Sequence, residues 1–125
     1  LLNHMLLLSR FNLVTGALDT IKRDPALACT ELKYETDYQT YLSRLLQDQL
    51  VHPEDASDFA NFMSLEHFRN NMFHNANPVI FRFRRKFNSG YHWTTLELFP
   101  DSNCSESNPW VVMVIHKSPS ANPDL

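Results

Sequence analysis

The chain has 125 residues, enough for one domain, and 43% of them are hydrophobic, with nine Phe, four Tyr and two Trp to build a core. Charged residues make up 20% and the net charge is -3, which excludes a disordered polyelectrolyte. A pI near 6.0 speaks against nucleic acid as a partner, since such domains are clearly basic.

Residues 1–8 are apolar but fall short of the roughly 20 a membrane span needs. They also lack the basic lead-in and cleavage site of a signal peptide, so direct membrane insertion is not expected. Residues 1–5 read as an N-terminal connector and 6–117 as the domain. Residues 6–14 have strand character, Thr15-Gly16 signals a turn, and 17–23 return antiparallel until Asp24-Pro25 stops them. Residues 31–36 carry no clear signal. Tyr38, Tyr41, Leu42, Leu45, Leu46 and Leu50 then recur at helical spacing behind Asp37, a candidate N-cap. His52-Pro53-Glu54-Asp55 has the make-up of a helix start, with Pro at the first helical position and acids facing the helix dipole. Ser64 is a fresh N-cap candidate for a last helix facing inward through Leu65, Phe68 and Met72.

From Pro78 the period changes from 3.6 to 2. Residues 79–87 and 91–99 read as a hairpin around Asn88-Ser89-Gly90. With a three-residue turn, Val79, Phe81, Phe83, Tyr91, Trp93 and Phe99 share one face, and Ile80, His92, Thr94, Leu96 and Leu98 the other. Both faces are then apolar enough to need cover. Residues 100–109 form a polar loop, and 110–116 a β-branched strand fit for the middle of a sheet. Residues 118–125, rich in Ser and Pro, read as a linker to a further output domain.

Two strands, a block of short helices and three strands make an α+β domain: one five-stranded antiparallel sheet with the helices inserted between strands 2 and 3. In this order the chain resembles the PAS family. The resemblance rests on Phe11-Asn12-Leu13-Val14-Thr15-Gly16, on Val51-His52-Pro53-Glu54-Asp55, and on Phe81-Arg82-Phe83-Arg84-Arg85-Lys86 with Gly90-Tyr91-His92-Trp93. It spans about residues 6–117. The step Ser64-Leu65-Glu66 is similar to sensory-box domains that precede diguanylate cyclase (GGDEF) domains or kinases in multidomain bacterial proteins. The resemblance implies a regulatory module rather than an enzyme, acting by small-ligand binding or dimerisation on an output domain in the same chain. It implies a ligand pocket from the last helix and the central strands, with Phe68, Met72, His92, Thr94, Leu96, Met113 and Ile115 as candidates. It also implies a homodimer through a sheet face, with Leu2, Met5, Leu6, Phe83, Trp93 and Phe99 as interface candidates.

Other chemistry finds less support. Cys29 and Cys104 form no metal-type pair, and they fit a reduced, cytoplasmic chain. His67 and His74 lie two helical turns apart, about 10 Å, too far to share one ion. The Cys-Arg-Phe-Leu-Gln run of flavin photosensors is absent, and His67 or His74 alone makes no haem motif, so the cofactor is unknown. In the cluster Arg82, Arg84, Arg85 and Lys86, alternation puts Arg85 with Phe81 and Phe83 and the rest on the other face, where solvation or pairing with Glu54 and Asp55 is expected rather than phosphate binding. The alternative reading is a cone-shaped α+β enzyme or ligand carrier using a His/acid dyad; such folds usually open with helices, whereas here a hairpin comes first.

Overall fold

Alternation along Met5–Asn12 sends Leu7, Ser9 and Phe11 to one side of a strand, β1, and Leu8 and Arg10 to the other. The computed structural model describes residues 5–71 and 79–118, with backbone alone at 70 and 71. In it β1 is followed by β2 (Leu18–Arg23), a 3₁₀ turn (Thr30–Tyr34) and three helices, α1 (Tyr38–Gln47), α2 (Ala56–Phe62) and α3 (Leu65–Asn71). Three strands complete the chain: β3 (Val79–Phe87), β4 (Gly90–Pro100) and β5 (Trp110–Lys117). All neighbours are antiparallel and the order across the sheet is β2-β1-β5-β4-β3. The expected five-stranded sheet with its helical insert after the second strand is the observed one.

Local chemistry explains where the boundaries differ. β1 stops at Asn12 rather than Val14 because the Asn12 Oδ1 accepts the backbone N–H groups of Val14 and Thr15, both at 2.9 Å. Gly16 then takes the positive φ of 75° that closes the turn. In β2 the register slips between Leu8/Lys22 and Ser9/Thr20, a bulge that leaves Ile21 60% exposed. Asp37 caps α1 by accepting from the Thr40 N–H, and Ser64 caps α3 through His67 N–H, both as expected. Pro53, by contrast, opens no helix. Residues 53–55 form a turn, α2 starts at Ala56, and Asp55 makes no cap bond because Arg84 holds its carboxylate.

The hairpin differs more deeply. Phe87 pairs with Gly90, so the turn holds only Asn88 and Ser89, one residue fewer than expected. A one-residue slip moves every side chain of a strand to the opposite face. Val79, Phe81, Phe83 and Arg85 therefore share a face with His92, Thr94, Leu96 and Leu98, while Tyr91, Trp93 and Phe99 lie on the other side. The first is the inner face. Phe59 of α2 meets Phe83 with ring centres 4.7 Å apart, Phe62 stacks on Phe81 at 4.7 Å, and Tyr38 of α1 stacks on Phe11 at 4.3 Å. The Tyr38 hydroxyl donates to the Met63 carbonyl, which joins α1 to the end of α2.

The hairpin end of the β3 edge, from Arg84 to Asn88, is covered by two irregular segments. Lys86 N–H donates to Leu50 O and Ala28 N–H to Lys86 O, and Asn88 and His52 add bonds on either side. Along this half of the strand the cover removes the template that an edge offers to other chains.

The two-residue turn makes a stability prediction. Phe83→Ala should cost about 3–5 kcal/mol, the usual range for a fully buried Phe, and Trp93→Ala well under half as much. Urea unfolding of the two variants checks this; the reverse order would restore the three-residue register.

Candidate functional site

The inner face collects most of the expected pocket residues. Thr94 and Leu96 on β4, Met113 and Ile115 on β5 and Phe68 on α3 are all buried there. Leu96 lies opposite Ile115, and Ile115 opposite Leu7. Phe68 reaches the sheet through Phe11, with ring centres 5.8 Å apart. The Thr94 hydroxyl donates to Phe83 O and is satisfied within the sheet. His92 lies at the hairpin end of the same face, edge-on to Phe87 at 4.9 Å, with its Nε2 2.8 Å from the Ser89 hydroxyl. Met72, and His74 with it, falls outside the described residues.

Two polar groups on this face did not figure among the sequence candidates. Ser9, opposite Met113, is 1% exposed, and its hydroxyl has no hydrogen-bond partner among the described residues. Arg85, opposite His92, is 2% exposed. The signal for both was present: each sits at an apolar phase of its strand, Ser9 between Leu7 and Phe11, Arg85 between Phe83 and Phe87.

The expected interface set divides. Met5, Trp93 and Phe99 lie on the outer face, whereas Phe83 is 1% exposed against Phe59 and Leu6 belongs to the core. A three-residue turn puts Phe83 on one face with Trp93 and Phe99, and the two-residue turn carries it to the opposite, inner face. Leu2 falls outside the described residues. Aromatic rings on the outer face carry arginines: Arg10 lies 4.1 Å over Trp110 and Arg84 4.9 Å over Trp93. Arg10 also pairs with Asp101 at 3.0 Å and Asp19 at 3.3 Å.

Arg84 is the better-held of the two. Its Nε and Nη2 each meet an Asp55 carboxylate oxygen at 3.0 Å, its backbone N–H reaches the same carboxylate, and Glu54 lies 3.4 Å away. This is the fork-to-fork pairing that favours Arg. Burial pushes the Asp55 carboxyl up, but the side-chain and backbone hydrogen bonds from Arg84 outweigh it and hold the group below the ordinary aspartate value. Among the described residues no three His, Cys, Asp or Glu side chains converge as a metal set. His52 accepts the Glu54 N–H at Nδ1 and meets the Tyr91 ring.

No family model and no curated protein matches the chain. Solved structures do. One is a sensory box histidine kinase/response regulator from Burkholderia thailandensis E264, with TM-score 0.51 and 15% identity, covering 89% of this chain and 75% of that one. Another is the N-terminal domain of a diguanylate cyclase with PAS/PAC sensor from Marinobacter aquaeolei, with TM-score 0.54 and 14% identity, covering 89% and 93%. The class these matches and the strand order define is the PAS fold, an α+β sheet with its helices on one face. At this identity the likeness is one of architecture.

The Asp55 pairing sets an acid limit. Its folded pKa lies below the unfolded value of about 3.9, so its contribution is complete above that pH and is lost as pH falls through the folded value. Asp55→Asn is expected to lower the urea midpoint at pH 7 and to flatten the decline of stability below about pH 4. An acid limb of unchanged steepness would show that other carboxylates set it.

Proposed function

We propose that the chain is a sensory and regulatory module of a multidomain signalling protein. A small molecule bound between the inner face and the helices would shift the packing of the module and so the state of an attached output domain, a diguanylate cyclase or a kinase. The architecture shared with sensor domains supports this reading, since both solved relatives are named as parts of such proteins. The observation that carries the ligand is Ser9. A buried hydroxyl without a partner costs stability, and one held against the helical block offers a hydrogen bond to a guest. Phe68, Thr94, Leu96, Met113 and Ile115 are assigned as the lining around it, with His92 at its margin.

Self-association belongs to the same reading, through the outer face and with Met5, Trp93 and Phe99 as contacts. No helix among the described residues is long and apolar enough to cross a membrane. Cys29 and Cys104 are free thiols, which favours a reducing, cytoplasmic setting. The alternative of a His/acid enzyme gains nothing from the site, where His52 contacts a backbone N–H and His92 a hydroxyl.

Native mass spectrometry of the purified protein, run beside a denatured sample, tests the proposal. The expected result is an extra small mass that denaturation releases and that Ser9→Ala retains poorly, although the ligand-free variant should be as stable as the parent or about 1 kcal/mol more so. No bound mass, together with no ligand-induced rise in melting temperature across a metabolite library, would overturn the ligand and leave dimerisation as the route of control.

A further inference from the structure

Arg85 is the one charged side chain in the fully buried class among the described residues, and it faces the helices with Phe83 and Phe87. Its Nη1 donates to the Lys86 carbonyl at 2.8 Å and its Nη2 to the Ala28 carbonyl at 3.3 Å. Arg23, at the end of β2, reaches the same place, with Nη2 2.8 Å from the Ala28 carbonyl and 2.9 Å from that of Cys29, and Nη1 3.3 Å from that of Leu27. Two guanidinium groups thus converge on one carbonyl oxygen. Around them stand the buried Tyr41 of α1 and Cys29, whose sulfur accepts from Arg44.

Charge balance separates this pair from Arg10, Arg44 and Arg84, and burial separates Arg85 from the exposed Arg69, which bonds the Leu13 carbonyl. Arg10 has Asp19 and Asp101, Arg84 has Asp55 and Glu54, and Arg44 has Asp48 and Glu31. Neither Arg23 nor Arg85 takes part in an ion pair among the described residues. Carbonyl dipoles satisfy N–H groups but cancel no net charge, and a desolvated cation beside a second cation is costly. Burial and the neighbouring Arg23 both draw Arg85 below the usual guanidinium value, with Tyr41 and Cys29 acting the other way. Holding the segment around Ala28 does not need a second cation, since Arg23 alone already bonds three of its carbonyls.

We propose that Arg23 and Arg85 form an oxyanion receptor, which takes a carboxylate or phosphate group of the ligand on the guanidinium N–H groups that the Leu27, Ala28, Cys29 and Lys86 carbonyls leave free. The proposal rests on the sensory reading above and adds that the ligand is an anion, with its charged head at the hairpin end of the inner face and its body toward Phe81 and Leu96. The planar fork of guanidinium matches either oxyanion.

The test uses the whole chain and two probes, inorganic phosphate and succinate, at constant ionic strength made up with sodium chloride. NMR of the arginine Nε–Hε groups should show saturable shifts at Arg23 and Arg85 but not at Arg10. The melting temperature should rise by about 4 °C or more, and Arg85→Gln should abolish both responses. Because Arg85→Gln risks misfolding, Arg23→Gln, on the more exposed partner, serves as the second variant and should weaken binding at least tenfold. A response to phosphate alone assigns a phosphorylated ligand, and one to succinate alone a carboxylic acid. Equal shifts in chloride, or none with either probe, would overturn the site. A neutral ligand held on the inner face without any anion response would sink this site and spare the sensory reading. Saturable anion binding without effect on the output activity of a longer protein would do the reverse.

Discussion

The reversal of the chain after Phe87 governs the arrangement of everything near it. Side chains alternate along a strand with period two, so a turn of two residues, Asn88 and Ser89, fixes which row of β3 and β4 faces the helices. With that register Phe81, Phe83, Leu96 and Leu98 form an apolar inner row that α2 can cover with Phe59 and Phe62. The same register sends Arg84 outward, where it meets Asp55 and lies over Trp93. Arg85 is carried inward by the same rule, as the neighbour of a residue whose exposure is favourable. The buried cation is therefore a consequence of the register that buries the phenylalanines.

The remainder of the core answers to β1. Phe11 is the point where sheet and helices meet, touching Tyr38 of α1 on one side and Phe68 of α3 on the other. Tyr38 is fixed in turn by its bond to Met63, so α1, α2 and the start of α3 are tied to one another as well as to the sheet. Against this tightly paired background the hydroxyl of Ser9, two residues from Phe11 and without a partner among the described residues, stands out as a polar group placed where packing alone would have favoured alanine or valine.

Much of the fold could be read from residue patterns. Asp37 and Ser64 announced their helices because an N-cap is a local device, settled within four residues. The strands followed from alternation and the helical block from period 3.6. Partners far along the chain are harder to read. Charge complementarity makes a pairing of Glu54 and Asp55 with the basic strand legible, but not that Arg84, 29 positions from Asp55, takes that carboxylate away from the helix start. The turn length was ambiguous because Gly90 suits the third turn position as well as the first position of β4, and only the packing of both faces decides between them. At the site, the apolar lining was visible as strand phase. The polar members, Ser9 and Arg85, were visible only as exceptions to that phase, which have meaning once the inner side is known.

The sheet order β2-β1-β5-β4-β3 also bears on how such a chain acquires its structure. Two hairpins, β1 with β2 and β3 with β4, need only near neighbours, but they never touch each other within the sheet. β5, the last strand to be synthesised, is the piece that joins them, and its pairing with β1 spans almost the whole domain, from Met5 with His116 to Asn12 with Trp110. Contacts so distant in sequence are slow to form. A ribosome-bound chain that has not yet released residues 110–117 therefore holds two half-sheets whose facing edges are both open, and it is in this interval that such a domain is most exposed to mispairing.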